Sequence, residues 1–119
     1  MSLKPCPDSP NCVSTQADTS DGLHHMDPVA YTGEPAEVIA AIEDTVSSNA
    51  GRVVASTTTT VEAVFTTKLL KFKDDVSFEL DTDAKLIHFR SASRSGHSDL
   101  GANRKRMVDL IPRVLSRLG

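Results

Sequence analysis

Apolar residues recur along this chain with two different periods, and the changes of period mark its elements. Over residues 34–49, Val38, Ile39, Ile42 and Val46 recur at helical spacing, which places them on one stripe of a helix. Pro35 suits the first helical turn, and Glu34 and Glu37 suit its positive end. Asn49-Ala50-Gly51 supplies a stop signal. The period then becomes two. Residues 52–57 are short and β-branched. Residues 60–70 alternate, with Val61, Ala63, Phe65 and Leu69 on one face and Glu62, Thr66 and Lys68 on the other. Val76, Phe78 and Leu80 alternate with Asp75, Ser77, Glu79 and Asp81. Ile87 and Phe89 alternate with Leu86, His88 and Arg90. Each pattern is that of a strand with one buried face. A helical stripe returns over residues 100–118 in Met107, Leu110, Ile111, Val114, Leu115 and Leu118. Ser98 or Asp99 is the expected N-cap. Pro112 is expected to bend this helix, because it removes one ladder hydrogen bond. Asn103 lies four residues before Met107 and so projects inward, where a buried amide needs partners.

Before the first helix, residues 26–32 read as a short strand, placed at an edge by Pro28. Residues 1–25 carry Asp, Ser, Thr and Pro with almost no apolar period, and read as an irregular arm attached to a single domain over residues 26–119. Loops between the later strands are short, so those strands should form an antiparallel meander. The expected fold class is α+β: a two-layer domain, mainly an antiparallel meander sheet, with two helices packed on one face. A two-residue loop at Thr82-Asp83 would set the register of the last hairpin. It would put Phe78 opposite Ile87 and Val76 opposite Phe89 on the buried face. On the other face Ser77 would meet His88, and Asp75 would meet Arg90. A shift of one residue would destroy these matches, and a shift of two would keep the faces but part Asp75 from Arg90.

The length of 119 residues is that of one domain, long enough to bury a core. The net charge of −3 conceals an asymmetry: residues 1–50 hold one base and eight acids, and residues 51–119 hold twelve bases and eight acids. The overall sign and the scarcity of aromatics, Tyr31 and four Phe, argue against a nucleic-acid partner. A local basic face, with a small anion or an acidic protein as partner, fits the charge split. No run approaches ~18 apolar residues, so no membrane span is expected, and no secretory apolar stretch is visible. Cys6 and Cys12 flank a short loop stiffened by Pro7 and Pro10. They can form a disulfide, which would point to an oxidising, extracytoplasmic setting. They can also remain thiols, or join His24 and His25 on a metal. Zinc-binding cysteines are usually spaced ~2–4 residues apart, so the metal reading is the weaker one, and no metal or cofactor is expected.

Three segments together resemble a known family. They are Cys6-Pro7-Asp8-Ser9-Pro10-Asn11-Cys12-Val13-Ser14, then Phe72-Lys73-Asp74-Asp75-Val76, then Arg90-Ser91-Ala92-Ser93-Arg94 followed by Asp99-Leu100-Gly101-Ala102-Asn103-Arg104-Lys105-Arg106. Their content and order are similar to those of the domain of unknown function DUF1499, over nearly the whole chain. That resemblance implies bacterial or plant relatives, some with membrane or export segments, and brings no established activity or catalytic residue.

The densest polar chemistry lies between Arg90 and Arg106, where a strand is expected to hand over to the last helix. Arg90 and Arg94 leave the strand on one side-chain parity. With Ser91, Ser93, His97, Asp99, Asn103 and Arg104 they form a candidate site for an anionic group. Gly96 and Gly101 would allow close backbone approach. The competing reading is a structural network in which Arg90 pairs with Asp75, and Arg94 with Asp74 or Asp99. In that network Asn103 and the serines tie the loop to the sheet. A serine nucleophile with His97 and Asp99 is disfavoured, since neighbours on one loop seldom reach triad geometry and no Gly-x-Ser-x-Gly elbow is present. Asp74 and Asp75 point to opposite faces and do not make an acid–base pair. A metal site at His24, His25 and Asp27 is less expected than a hydrated loop there. Arg104-Lys105-Arg106 lies at the positive end of a helix, which implies anionic partners, and acids of the same chain can supply them. The expected function is a non-enzymatic binding or assembly module. The alternatives are an enzyme acting on a phosphate or carboxylate ester, or a carrier of a small apolar ligand held between sheet and last helix.

Overall fold

The computed structural model describes residues 2–68, 71–96 and 101–118. Its element order is β1 (Cys12–Ser14), β2 (Val29–Ala30), α1 (Pro35–Ser48), β3 (Gly51–Ser56), β4 (Thr60–Thr66), β5 (Lys73–Asp81), β6 (Leu86–Ser93) and α2 (Ala102–Ser116). The strands form one antiparallel sheet in the order β1-β6-β5-β4-β3, with β2 also paired to β6. Both helices pack on the same side of it. This is the α+β architecture that the two periods predict, since two amphipathic stripes and one apolar sheet face can be buried only against each other.

The residues of each element explain its limits. Pro35 opens α1, and the Glu37 carboxylate accepts the backbone N–H of Glu34 at 3.0 Å, which satisfies one donor at the exposed helix start. At the other end Ala50, not Gly51, takes the left-handed conformation, with φ 67°. Gly51 is required for a different reason. A Cβ there would lie 2.5 Å from the Phe65 ring, so the β3–β4 pair can close over α1 only if this residue has no side chain. Gly101, with φ 80°, is the residue before the first turn of helix α2, and the expected caps Ser98 and Asp99 lie outside the described residues.

The core follows the predicted faces. Val61, Ala63 and Phe65 of β4, Val76, Phe78 and Leu80 of β5, and Ile87 and Phe89 of β6 are buried against Val38, Ile42 and Val46 of α1 and Met107, Leu110 and Val114 of α2. The register differs from the expected one. Phe78 lies opposite Phe89, Leu80 opposite Ile87, and Ser77 opposite Arg90, while Asp75 faces Ala92. The turn is the cause. Asp81 pairs with Leu86, so the loop has four residues instead of two. The Asp81 carboxylate accepts the N–H groups of Asp83 and Ala84, and Lys85 adopts φ 55°. The shift is by two residues, which preserves the pleat and therefore the buried face.

The N-terminal arm is also more ordered than its composition suggests. Cys12–Ser14 adds a strand along β6, pairing Cys12 with Ala92, Val13 with Ser91 and Ser14 with Arg90. Residues 2–6 then cross the outer face of β5 and β6. The backbone N–H of Leu3 donates to Gln16, Ser2 is bonded to Glu79, and the Pro5 carbonyl accepts from Arg90. This strap explains why His88 and Ala92, on the face turned away from the helices, are nonetheless buried.

Candidate functional site

Strand β6 delivers Ser91 to the inner face and Arg90 to the outer face, so its one-residue alternation splits the polar segment into two environments. On the inner side Ser91 is fully buried and its hydroxyl donates to Asn103 Oδ1 at 2.6 Å. Asn103, 1 % exposed, donates from Nδ2 to the Asn11 carbonyl at 3.1 Å and to Ser93 Oγ at 3.0 Å. Arg106 donates to both Ser91 Oγ and Asn103 Oδ1. Its other nitrogen reaches Asp74 Oδ2 at 2.7 Å, and its guanidinium lies 5.0 Å from the centre of the Phe65 ring. Asp74 is 2 % exposed. A buried carboxylate of this kind needs a paired cation and hydrogen bonds to stay charged. The network joins the arm, β5, β6 and α2, and its members are committed to one another.

On the outer side the expected pair of Asp75 with Arg90 does not form. The two-residue register shift carries Asp75 to Ala92, and Arg94 takes the carboxylate instead. Arg94 donates from Nε to both Asp75 oxygens at 3.1 and 3.0 Å and from Nη2 to Oδ1 at 2.9 Å. The carboxylate holds the Arg94 guanidinium above its ordinary pKa. Arg90 is left without a carboxylate in ion-pair range among the described residues. Its Nη2 donates to the Pro5 carbonyl at 3.2 Å, and its Nε is sealed from solvent without a hydrogen-bond partner. Desolvation lowers the pKa of Arg90, opposed by the more distant charges of Asp75 and Glu62. A cleft of about 480 Å³ lies beside it, lined by Lys4, Pro5, Cys6 and Pro7 of the strap and by Asp75, Ala92, Ser93 and Arg94.

The remaining expected site residues are dispersed. Arg104 is occupied by backbone oxygens, donating to the carbonyls of Leu23 at 3.1 Å and His25 at 3.2 Å. His97 and Asp99 lie outside the described residues. Cys6 and Cys12 form a disulfide, with S–S 2.00 Å. Among the described residues no group of three His, Cys, Asp or Glu side chains could hold a metal ion. His24 shows why its segment does not do so. The ring is buried, with Nδ1 at 2.7 Å from Asp21 Oδ2 and Nε2 at 2.9 Å from the Ser9 carbonyl. Both ring nitrogens face acceptors, which favours the imidazolium and raises the His24 pKa above its ordinary value.

Sequence reasoning did not find Asn11, Thr15, His24 or His88 as structural polar residues. The one available signal was the misplaced positive run at the start of α2, and Arg106 with Asp74 answers it. Thr15 Oγ1 lies 2.8 Å from His88 Nδ1, and for this pair the sequence held no signal, because the contact depends on the arm lying along β6.

Among the described residues no helix is long and apolar enough to cross a membrane. Comparison with curated proteins and with solved structures finds no match. A family model for proteins of unknown function, DUF1499, matches residues 2–114, and the chain belongs to that family.

Proposed function

We propose that this domain is a non-enzymatic binding module that holds an anionic group, carboxylate or phosphate, against Arg90 in the cleft beside the N-terminal strap. The observation that carries this reading is the half-buried Arg90 guanidinium, with a sealed, unpartnered Nε and no carboxylate of its own among the described residues. A desolvated cation without a counter-charge costs free energy, and an anion entering the cleft would offset it. Lys4 on the strap and Arg94 at the cleft wall keep the local potential positive, although Arg94 is largely neutralised by Asp75. The other members of the polar segment serve the reading indirectly. Ser91, Ser93 and Asn103 anchor the strand end that presents Arg90.

The apolar-carrier alternative has little support. A notch between Met26–Val29 and α2, lined by Met107, Val108, Ile111 and Pro112, measures about 210 Å³. Pockets for small molecules usually run from about 300 Å³ upward.

The test is thermal unfolding in inorganic phosphate. The melting temperature of the wild-type chain should rise saturably, as binding to the native state alone requires. Arg90→Gln, which removes the charge and keeps a polar side chain, should show no such rise. Equal rises in the two proteins would refute the proposal.

A further inference from the structure

Strands β4 and β5 meet in a hairpin whose last pair is Thr66 with Lys73. Of the aromatic residues, Tyr31, Phe65, Phe78 and Phe89 are buried, whereas Phe72, in the loop of this hairpin, is 48 % exposed. Its backbone is held there. The Phe72 N–H donates to Thr67 Oγ1 at 2.9 Å, the Phe72 carbonyl accepts the N–H of Thr67 at 2.8 Å, and Lys71 takes φ 57°. Lys68, Lys71 and Lys73 belong to the same tip, and each is exposed. Leu69 and Leu70 lie between them in sequence and outside the described residues.

The charge at this end of the sheet is positive. None of these lysines has a carboxylate in ion-pair range among the described residues. The acids that follow on β5 are already engaged: Asp74, opposite Phe65, is buried with Arg106, and Asp75, opposite Val64, is held by Arg94. Arg52, exposed and also opposite Val64, adds to the same sign. The other end of β5 closes on a turn that carries Asp81 and Asp83 against Lys85. The strand has nine residues and so parts the two ends by about 27 Å. That exceeds the screening length of about 8 Å at physiological salt, so the basic tip acts by itself. A ring and ammonium groups on one tip suit the boundary between water and hydrocarbon. The ring gains by leaving water, and lysine stems can follow it while their charged ends stay among the headgroups. A nucleic acid would use the cations but find a single ring, where a stacking platform needs several.

We infer that the β4–β5 tip docks on an anionic lipid surface, with Phe72 entering the headgroup layer and Lys68, Lys71 and Lys73 meeting the lipid charges. Arg90 is not part of the tip, since it lies opposite Ser77 in the middle of β5, so this surface and the Arg90 cleft can fail separately. The probe is a vesicle of phosphatidylcholine and phosphatidylserine in a ratio of about three to one. The chain has no tryptophan, so Phe72→Trp supplies a single reporter. Its emission should move to shorter wavelength, saturably, with these vesicles and not with phosphatidylcholine alone. In cosedimentation, binding should weaken about five-fold for each lysine neutralised, hence about a hundred-fold in the combined Lys68→Gln, Lys71→Gln, Lys73→Gln variant. Phe72→Ser should weaken it about five-fold. The tip substitutions are on exposed side chains, so these variants should melt with the wild-type chain. Lys85→Gln, at the far end of β5, and Arg90→Gln should bind as the wild type does. Undiminished binding of the combined variant, equal binding to phosphatidylcholine alone, or loss of binding in Lys85→Gln or Arg90→Gln would overturn the docking tip. Tighter binding of a single-stranded oligonucleotide than of the vesicles, at the same ionic strength, would overturn the lipid assignment.

Discussion

The Asn103 side chain, at the start of α2, donates to the backbone carbonyl of Asn11, 3.1 Å away and 92 residues earlier in the chain. This contact, with the Ser91 and Arg106 bonds to the same amide, closes the domain at the point where arm, sheet and last helix meet. Asn103→Leu keeps the volume but leaves Ser91, Arg106 and the Asn11 carbonyl with fewer partners. Each buried polar group so orphaned costs ~1–3 kcal/mol, so a loss of about 3 kcal/mol is expected in urea unfolding.

The two arginine–aspartate pairs should behave differently. Arg106–Asp74 is buried, with side-chain exposures of 14 % and 2 %. Arg106→Leu strands the Asp74 carboxylate and should cost about 3–5 kcal/mol. Arg94–Asp75 is half exposed, with 47 % and 46 %, and is screened by solvent and salt. Arg94→Ala should leave the unfolding midpoint nearly unchanged, and the comparison of both variants by chemical denaturation checks the contrast.

His24 and Asp21 set a pH window for the arm. The folded-state pKa of His24 is raised above its ordinary 6.5, by the Ser9 carbonyl and then by Asp21. Its contribution is therefore complete below about pH 6.5 and is lost as pH rises through the folded value. The pKa of Asp21 is lowered below its ordinary 3.8, chiefly by the bond to His24, so its contribution is present above that value and lost as pH falls through the folded one. The melting temperature of the wild-type chain should fall relative to His24→Gln as pH is raised above 6.5, and an unchanged difference between the two would remove His24 as the cause.

Cleavage of the Cys6–Cys12 bond releases the strap that borders the Arg90 cleft. The enclosed loop is short, so the entropic contribution is about 2 kcal/mol. A strong reductant should lower stability by roughly that amount and increase amide exchange of Leu3 and Gln16 before that of β5 and β6.

Tyr31 is buried, with its hydroxyl unpartnered among the described residues. Tyr31→Phe removes an unmet hydrogen-bonding group without removing the ring. Stability should stay level or rise by up to about 1 kcal/mol, read as the midpoint in urea.

The alternation in β4, β5 and β6 and the stripes of α1 and α2 determined the layers, the buried face and the meander, because those depend only on periods of 2 and 3.6 within each segment. The positive run at residues 104–106 implied anionic partners; Arg106 found one in Asp74, and Arg104 took the carbonyls of Leu23 and His25. Which acid met which arginine was decided by tertiary structure alone. Two registers differing by two residues bury the same faces, and only the Asp81 carboxylate and the left-handed Lys85 choose between them. That choice moved Asp75 from Arg90 to Arg94 and left Arg90 without a carboxylate in ion-pair range among the described residues. The strap and the Thr15–His88 pair were decided in the same way, since a polar segment without period acquires its place only from the strand edge it docks on.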